Sequence, residues 1–355
     1  MLEAVINFTA SVLICVAVIA VLAPLSRHYG WLDEPDDRKQ HAHPTPPVGG
    51  LRVFLGLIVP ALWFIGPTQE VLGFTAGAAL LVVVGALDDR WHIDWKIRIF
   101  AQILSALILI YGAGIRAEHV GPLFGFGDIE LGVLSVPFTV FITVGLINAL
   151  NMFDGIDGLV GGVCMAVTVM LICAALYSGA YDVAMGLFWL LGALAGFLLF
   201  NFRFPWQKKA RVFLGDAGSG LLGFTMAFVI FRLTQNPGHP VSPVLGPFLL
   251  APPIVDCLVL IVHRLRRGLS PFAAGRDHGH HLMLDAGFSV NQIVLIMSVL
   301  ACASGLFGAV CMLINVPEPL MMMAYLLVMF LWFWVTETQE RSERYMQWLR
   351  GKINA

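Results

Sequence analysis

Residues 133–176 read VLSVPFTVFITVGLI, then NALNMFDGIDG, then LVGGVCMAVTVMLICAAL. Each apolar run is about one bilayer core in length, so the stretch predicts two membrane-crossing helices joined by a short polar turn. The turn carries Asn148, Asn151, Asp154 and Asp157, three residues apart. Helical neighbours at i,i+3 touch, but the row drifts, and an unbroken helix would point its first and last members apart. Gly155 and Gly158 favour a helix end or turn, which would let the four converge. Asn and Asp also cap helices and build turns. Four polar groups gathered beside lipid, where charge is expensive, read as a site.

The rest of the chain repeats this pattern. Of 355 residues, 58% are hydrophobic and 12% charged, with a mean hydropathy of +0.83. Soluble domains sit near 45–50% apolar and about 25% charged, so a soluble globular fold is excluded. Eleven apolar stretches are long enough to cross: 4–25, 48–66, 70–87, 97–115, 133–150, 159–177, 183–201, 218–234, 244–263, 291–314 and 318–336. The expected fold is therefore an all-α polytopic membrane bundle of about eleven helices, one domain over 1–336 with a tail over 337–355. The tail alternates charge around Trp348 and reads as an interfacial helix. The first run, with Glu3 and no basic flank, reads as a retained span. The six cysteines lie in apolar runs without a CxxC pair and read as small core residues.

An odd number of spans gathers the loops after spans 1, 3, 5, 7 and 9, plus the tail, on one face. Of the 21 Lys and Arg residues, only Arg116 and Arg232 fall outside that face. Excess Lys and Arg mark the cytoplasmic side.

The same face collects the chemistry. Asp88 and Asp89 end the third span, and Lys96 opens the fourth. Asp216 sits among Gly215, Gly218 and Gly220. Arg276, His278, His280 and His281 follow the ninth span. Oxygen ligands suit Mg²⁺, which takes one or two carboxylates plus substrate phosphates. Arg, Lys and His suit phosphate oxygens. The histidines lack a zinc-site spacing. Together these point to phosphoryl transfer or diphosphate chemistry with a lipid as one substrate. Asp256 lies inside the ninth span after Pro252-Pro253. It reads either as lining a broken-helix cavity or as a structural hydrogen bond.

Several stretches resemble the polyprenyl-phosphate N-acetylhexosamine-1-phosphate transferases. They are Asp88-Asp89-Arg90, Lys96-Ile97-Arg98, Asn148 to Leu159, Val212 to Ser219, Ser270-Pro271-Phe272, and His278-Gly279-His280-His281. Arg38-Lys39 and Pro46 to Gly50 match more loosely. The resemblance implies ten or eleven helices around a cytoplasm-facing cleft in a bacterial inner membrane. It implies transfer of a sugar-1-phosphate, GlcNAc-1-phosphate foremost, from a UDP-sugar to undecaprenyl phosphate with release of UMP. By resemblance, Asp216 and Asn151 would hold Mg²⁺ or Mn²⁺, and Asp88 and Asp89 would activate or orient the lipid phosphate. Asp154 and Asp157 would stand near nucleotide and metal, Lys96 would contact the diphosphate, and Arg276, His278, His280 and His281 would grip it, with His278 counted as catalytic beside Asp88, Asp89, Asp154, Asp157 and Asp216. Asn148 joins the substrate-binding group, and Asp256 would border the prenyl groove. Other UDP-N-acetylhexosamines stay open as donors, as does a homodimer; no nucleic-acid partner is expected. A transporter of lipid-linked sugars is the rival reading, although it would not need acids and amides gathered on one face.

Overall fold

The computed structural model describes residues 2–32, 45–235, 241–271 and 275–354. Arg38, Lys39, His41, His43 and Phe272 lie outside them. Among the described residues the secondary structure is helical, apart from isolated bridges pairing His119 with Glu130 and Phe204 with Gln207. In chain order the helices are α1 (Leu2–His28), α2 (Gly49–Phe64), α3 (Gln69–Trp91), α4 (Trp95–Gly112), α5 (Ser135–Phe153), α6 (Leu159–Tyr177) and α7 (Tyr181–Asn201). Then come α8 (Gly215–Thr234), α9 (Leu245–Leu249), α10 (Ala251–Arg266), α11 (Gly279–Asp285), α12 (Val290–Leu313), α13 (Glu318–Thr336) and α14 (Gln339–Asn354). Among the described residues, nine helices are long and apolar enough to cross a bilayer.

The two remaining predicted spans are also helical but shorter. The run at 48–66 forms the 16-residue α2. The run at 244–263 is broken into α9 and α10 around Leu250. Pro252 and Pro253 have no N–H to return to the preceding turn, so they can open α10 but not continue α9. Helix ends move by a few residues from the sequence reading. Most usefully, α3 runs on through Asp88 and Asp89, and α5 through Asn151.

The bundle is built around α8, which is buried over most of its length. It packs against α2, α3 and α5. Small residues bring the backbones close: Gly50 lies against Gly218, Gly85 against Ala217, and Gly223 against Ile147. Between lipid-bathed helices such close contact supplies the packing energy that hydrophobic exclusion cannot. At the periphery, α13 leaves Leu327, Phe330 and Leu331 exposed, as a lipid-facing helix should.

Candidate active site

The pocket lies where α3 and α5 end and α8 begins. Its volume is about 460 Å³, and its wall includes Asp88, Asp89, Asn151, Asp154, Asp157 and Asp216. The first turn of α8 is assembled from distant parts of the chain. Leu214 precedes it without a capping side chain. The acceptors come instead from α3: the Asp216 N–H donates to Asp89 Oδ1 at 2.9 Å, and the Ala217 N–H approaches Asp89 Oδ2 at 3.5 Å. A carboxylate here also meets the positive end of the helix. Gly215 has φ +72°, which L side chains rarely adopt. A Cβ there would lie 3.0 Å from the Asp89 carboxyl carbon. On the other side, the Gly49 and Gly50 N–H groups donate to the Phe213 and Leu214 carbonyls at 2.9 and 3.0 Å. The loosely matched Pro46 to Gly50 stretch thus splints the approach to α8.

Asp216 is held from two directions. Asn151 Nδ2 donates to Asp216 Oδ1 at 2.5 Å and to Ser219 Oγ at 3.0 Å. Arg98 Nη1 donates to Asp88 Oδ2 at 2.8 Å and reaches Asp216 Oδ2 at 3.5 Å. Asn151 therefore presents its amide nitrogen, orienting the carboxylate. Asp157 accepts from Arg203 Nε at 2.7 Å and from the Ala210 N–H at 3.2 Å. Asp154 follows the last residue of α5 and has no side-chain hydrogen bond among the described residues. Burial, then the charge of Asp216, then that of Asp157, push its carboxyl up to about 8, so it carries a proton at pH 7.

The histidine loop reaches the site through α11. His281 lines the pocket. His280 is fully buried behind it, packed edge-on against Phe153 with ring centroids 5.8 Å apart. Neither of its ring nitrogens has a hydrogen-bond partner among the described residues. Burial, then His281 and His278, hold His280 well below its ordinary value of 6.5, and it stays neutral. Burial, then His278 and Arg276, also lower His281.

Five expected substrate contacts and one expected catalytic group are absent from the pocket wall. Asn148 donates to Gln102 Oε1 at 2.6 Å and to the Val144 carbonyl, bracing α5 against α4. Asp256 is buried and accepts from the Gly279 N–H at 2.8 Å, with His278 Nδ1 also at 2.8 Å. It anchors the start of α11, which is the structural hydrogen bond of the two sequence readings, and it takes His278 with it. His280 packs inside. Arg276 pairs with Asp285 at 2.9 Å and faces a cleft between α11 and α14. Lys96 is exposed in the first turn of α4, over the Trp95 ring.

Sequence reasoning gave no site role to Arg98, Arg203 or Asn201. Asn201 Oδ1 accepts from the Gly158 N–H at 2.7 Å, and its Nδ2 donates to the Val212 carbonyl at 2.8 Å, joining two site loops. It ends an apolar run just as Asn148 and Asn151 do, and that signal could have found it. Among the described residues, no three His, Cys, Asp or Glu side chains form a ready-made metal cluster.

A helical membrane bundle with acids and amides around one buried helix start defines the class, and comparison with known proteins places it. The model of "Glycosyl transferase family 4" matches residues 71–234, which contain the start of α8 and every pocket acid. The chain belongs to this family. It is 35% identical over 347 residues to the undecaprenyl-phosphate alpha-N-acetylglucosaminyl 1-phosphate transferase of Yersinia pestis, covering 96% of this chain and 93% of that protein. The protein of the same name from Escherichia coli (strain K12) is 30% identical over 332 residues, covering 93% and 90%. That of Haemophilus influenzae is 32% identical over 338 residues, covering 92% and 95%.

Proposed function

We propose that this chain transfers GlcNAc-1-phosphate from UDP-GlcNAc to undecaprenyl phosphate, releasing UMP, at the cytoplasmic face of a bacterial inner membrane. The observation that carries this reading is the convergence of Asp88, Asp154 and Asp216 with Asn151 in one polar pocket at the ends of α3, α5 and α8. The named relatives supply the donor sugar and the acceptor lipid. The basic residues support the orientation: Arg98, Arg203 and Lys208 lie at the pocket's end of the bundle, while Arg232 lies at the other. All eleven apolar runs would then cross, the ninth as a broken helix.

A divalent ion fits the donor set. Asp216 and Asp88 are hard oxygen donors held close by Arg98, and Mg²⁺ binds through one or two carboxylates plus substrate phosphates. Asp216 would be its anchor, with Asn151 steering that carboxylate or, turned over, adding its own oxygen. The bound ion would neutralise diphosphate charge. Arg98 stands between Asp88 and Asp216, ready to move to phosphate once a cation takes its place. His281, neutral and on the wall, can donate one hydrogen bond to a phosphate oxygen.

The lipid phosphate oxygen would attack the sugar-side phosphorus and the UMP oxygen would leave. A phosphate already ionised at pH 7 needs no strong base. A two-step route would need an ionised carboxylate as nucleophile, and Asp154, the pocket acid without a hydrogen-bond partner among the described residues, would first have to give up the proton that burial favours. UMP release from UDP-GlcNAc with undecaprenyl phosphate, in detergent with Mg²⁺, tests the function. No UMP above a no-lipid control would refute it, as would full turnover in excess EDTA for the metal. Labelled phospho-enzyme formed from UDP-GlcNAc alone, and lost in Asp154→Asn, would replace the direct route with the two-step one.

A further inference from the structure

At the opposite end of the bundle, α1, α2 and α7 part company. Deeper in they are zipped together: Ser11 Oγ lies 2.6 Å from both the Gly56 and the Trp189 carbonyl oxygens. Gly56 and Gly192 permit this, since a Cβ on either would press on Ser11 or its neighbours. Above that seam, aromatic residues hold the helices apart. Trp189 stacks on Phe64 with centroids 6.1 Å apart, and Phe74 and Phe228 fill the α3 and α8 side. The space between is a crevice of about 500 Å³, within the range that holds a bound small molecule.

Two features of the crevice point to a ligand. Trp189 lines it and is 3% exposed, yet its indole N–H has no hydrogen-bond partner among the described residues. A buried donor left unmet is costly. Among the described residues, the mouth carries Glu3, Glu70 and Asp182 against a single guanidinium, Arg232. Arg232 is already committed to Glu70 at 3.0 Å and to Asp182 at 3.1 Å. The mouth therefore has negative charge to spare, and the interior is apolar.

We propose that this crevice binds a membrane phospholipid with a primary ammonium head, of the phosphatidylethanolamine type. One acyl chain would lie against Leu57, Leu187 and Leu190. An ester or phosphate oxygen at its root would accept from the Trp189 indole, and the ammonium would meet the surplus carboxylates. A net anionic head such as phosphatidylglycerol would face three acids of which Arg232 offsets the charge of only one. The assignment is independent of the transferase reading, because its readout is lipid retention.

The test uses the full chain in nonionic detergent, titrated with phosphatidylethanolamine or phosphatidylglycerol and read by native mass spectrometry and thermal melting. Phosphatidylethanolamine should bind about fivefold more tightly, the scale of one partly exposed charge pair. Glu70→Gln with Asp182→Asn should remove that preference. A Cβ at Gly186, on the crevice wall, meets open space. Gly186→Phe should therefore carry a ring from an open Cβ position toward the chain slot and abolish retention of both lipids. UMP release should be unchanged in both variants. Equal affinity for the two lipids in the wild type, or wild-type retention by Gly186→Phe, would overturn the proposal and mark the lipid as an adventitious additive only.

Discussion

Asp89 is the residue whose role the structure redraws most, and its replacement is the sharpest test. The resemblance assigns the Asp88-Asp89 pair to the lipid phosphate, whereas Asp89 spends both oxygens on the first turn of α8. Removing such a cap costs about 0.5–2 kcal/mol. The Asp216 N–H it serves is part-buried, so Asp89→Ala should cost about 1–2 kcal/mol at the turn that carries Asp216. If that strain falls on the transition state, turnover drops by about 5- to 30-fold. Asp89→Asn keeps one acceptor oxygen for the Asp216 N–H, so turnover should fall by less than about fivefold. Initial rates of UMP release and thermal unfolding in the same detergent read both effects. Asn as inactive as Ala, with melting unchanged in each, would refute the capping argument and return the charge of Asp89 to the chemistry.

Three further outcomes follow from the same contacts. Asp256→Ala strands the Gly279 N–H and His278 Nδ1 in a buried place, at about 1–3 kcal/mol each. It should raise KM for UDP-GlcNAc more than it lowers kcat, and Asp256→Asn should recover part of the loss. Truncation after Thr338 removes Met346, which is buried in the core that holds Met283 of α11. Burial of such a side chain is worth about 1.5–3 kcal/mol. KM should rise and the melting temperature should fall; an unchanged KM would show that α14 does not brace the histidine helix. The neutral, buried His280 sets a pH limit. Its folded value lies below 6.5, so the unfolded chain binds the extra proton first, and stability falls as pH drops below 6.5. A melting curve flat from pH 7.5 to 5, or one matched by His280→Phe, would contradict this.

The span pattern was legible because the membrane enforces it: apolar runs of fixed length, broken where proline removes donors. The core of the site was legible for a related reason, since Asn151, Asp154, Asp157 and Asp216 sit at span ends where polar groups are costly. Partner choice was not legible. Asn148 and Asn151 look alike in sequence, and one turns to Gln102 while the other turns to Asp216. Asp88 and Asp89 are adjacent, and one pairs with Arg98 while the other serves a helix 127 residues on. Arg276 and Asp285 are close enough along the chain to satisfy each other, and nothing in the motif announced it. Spacing identifies which residues stand at the membrane edge, and packing decides which of them touch.

The first turn of α8 draws its splint from residues 46–50 and its cap from residue 89, and α5 supplies the amide that steers its carboxylate. During synthesis none of these partners can be satisfied until seven helices have already been threaded into the bilayer. A ribosome stalled before residue 216 leaves a chain that is anchored and inert.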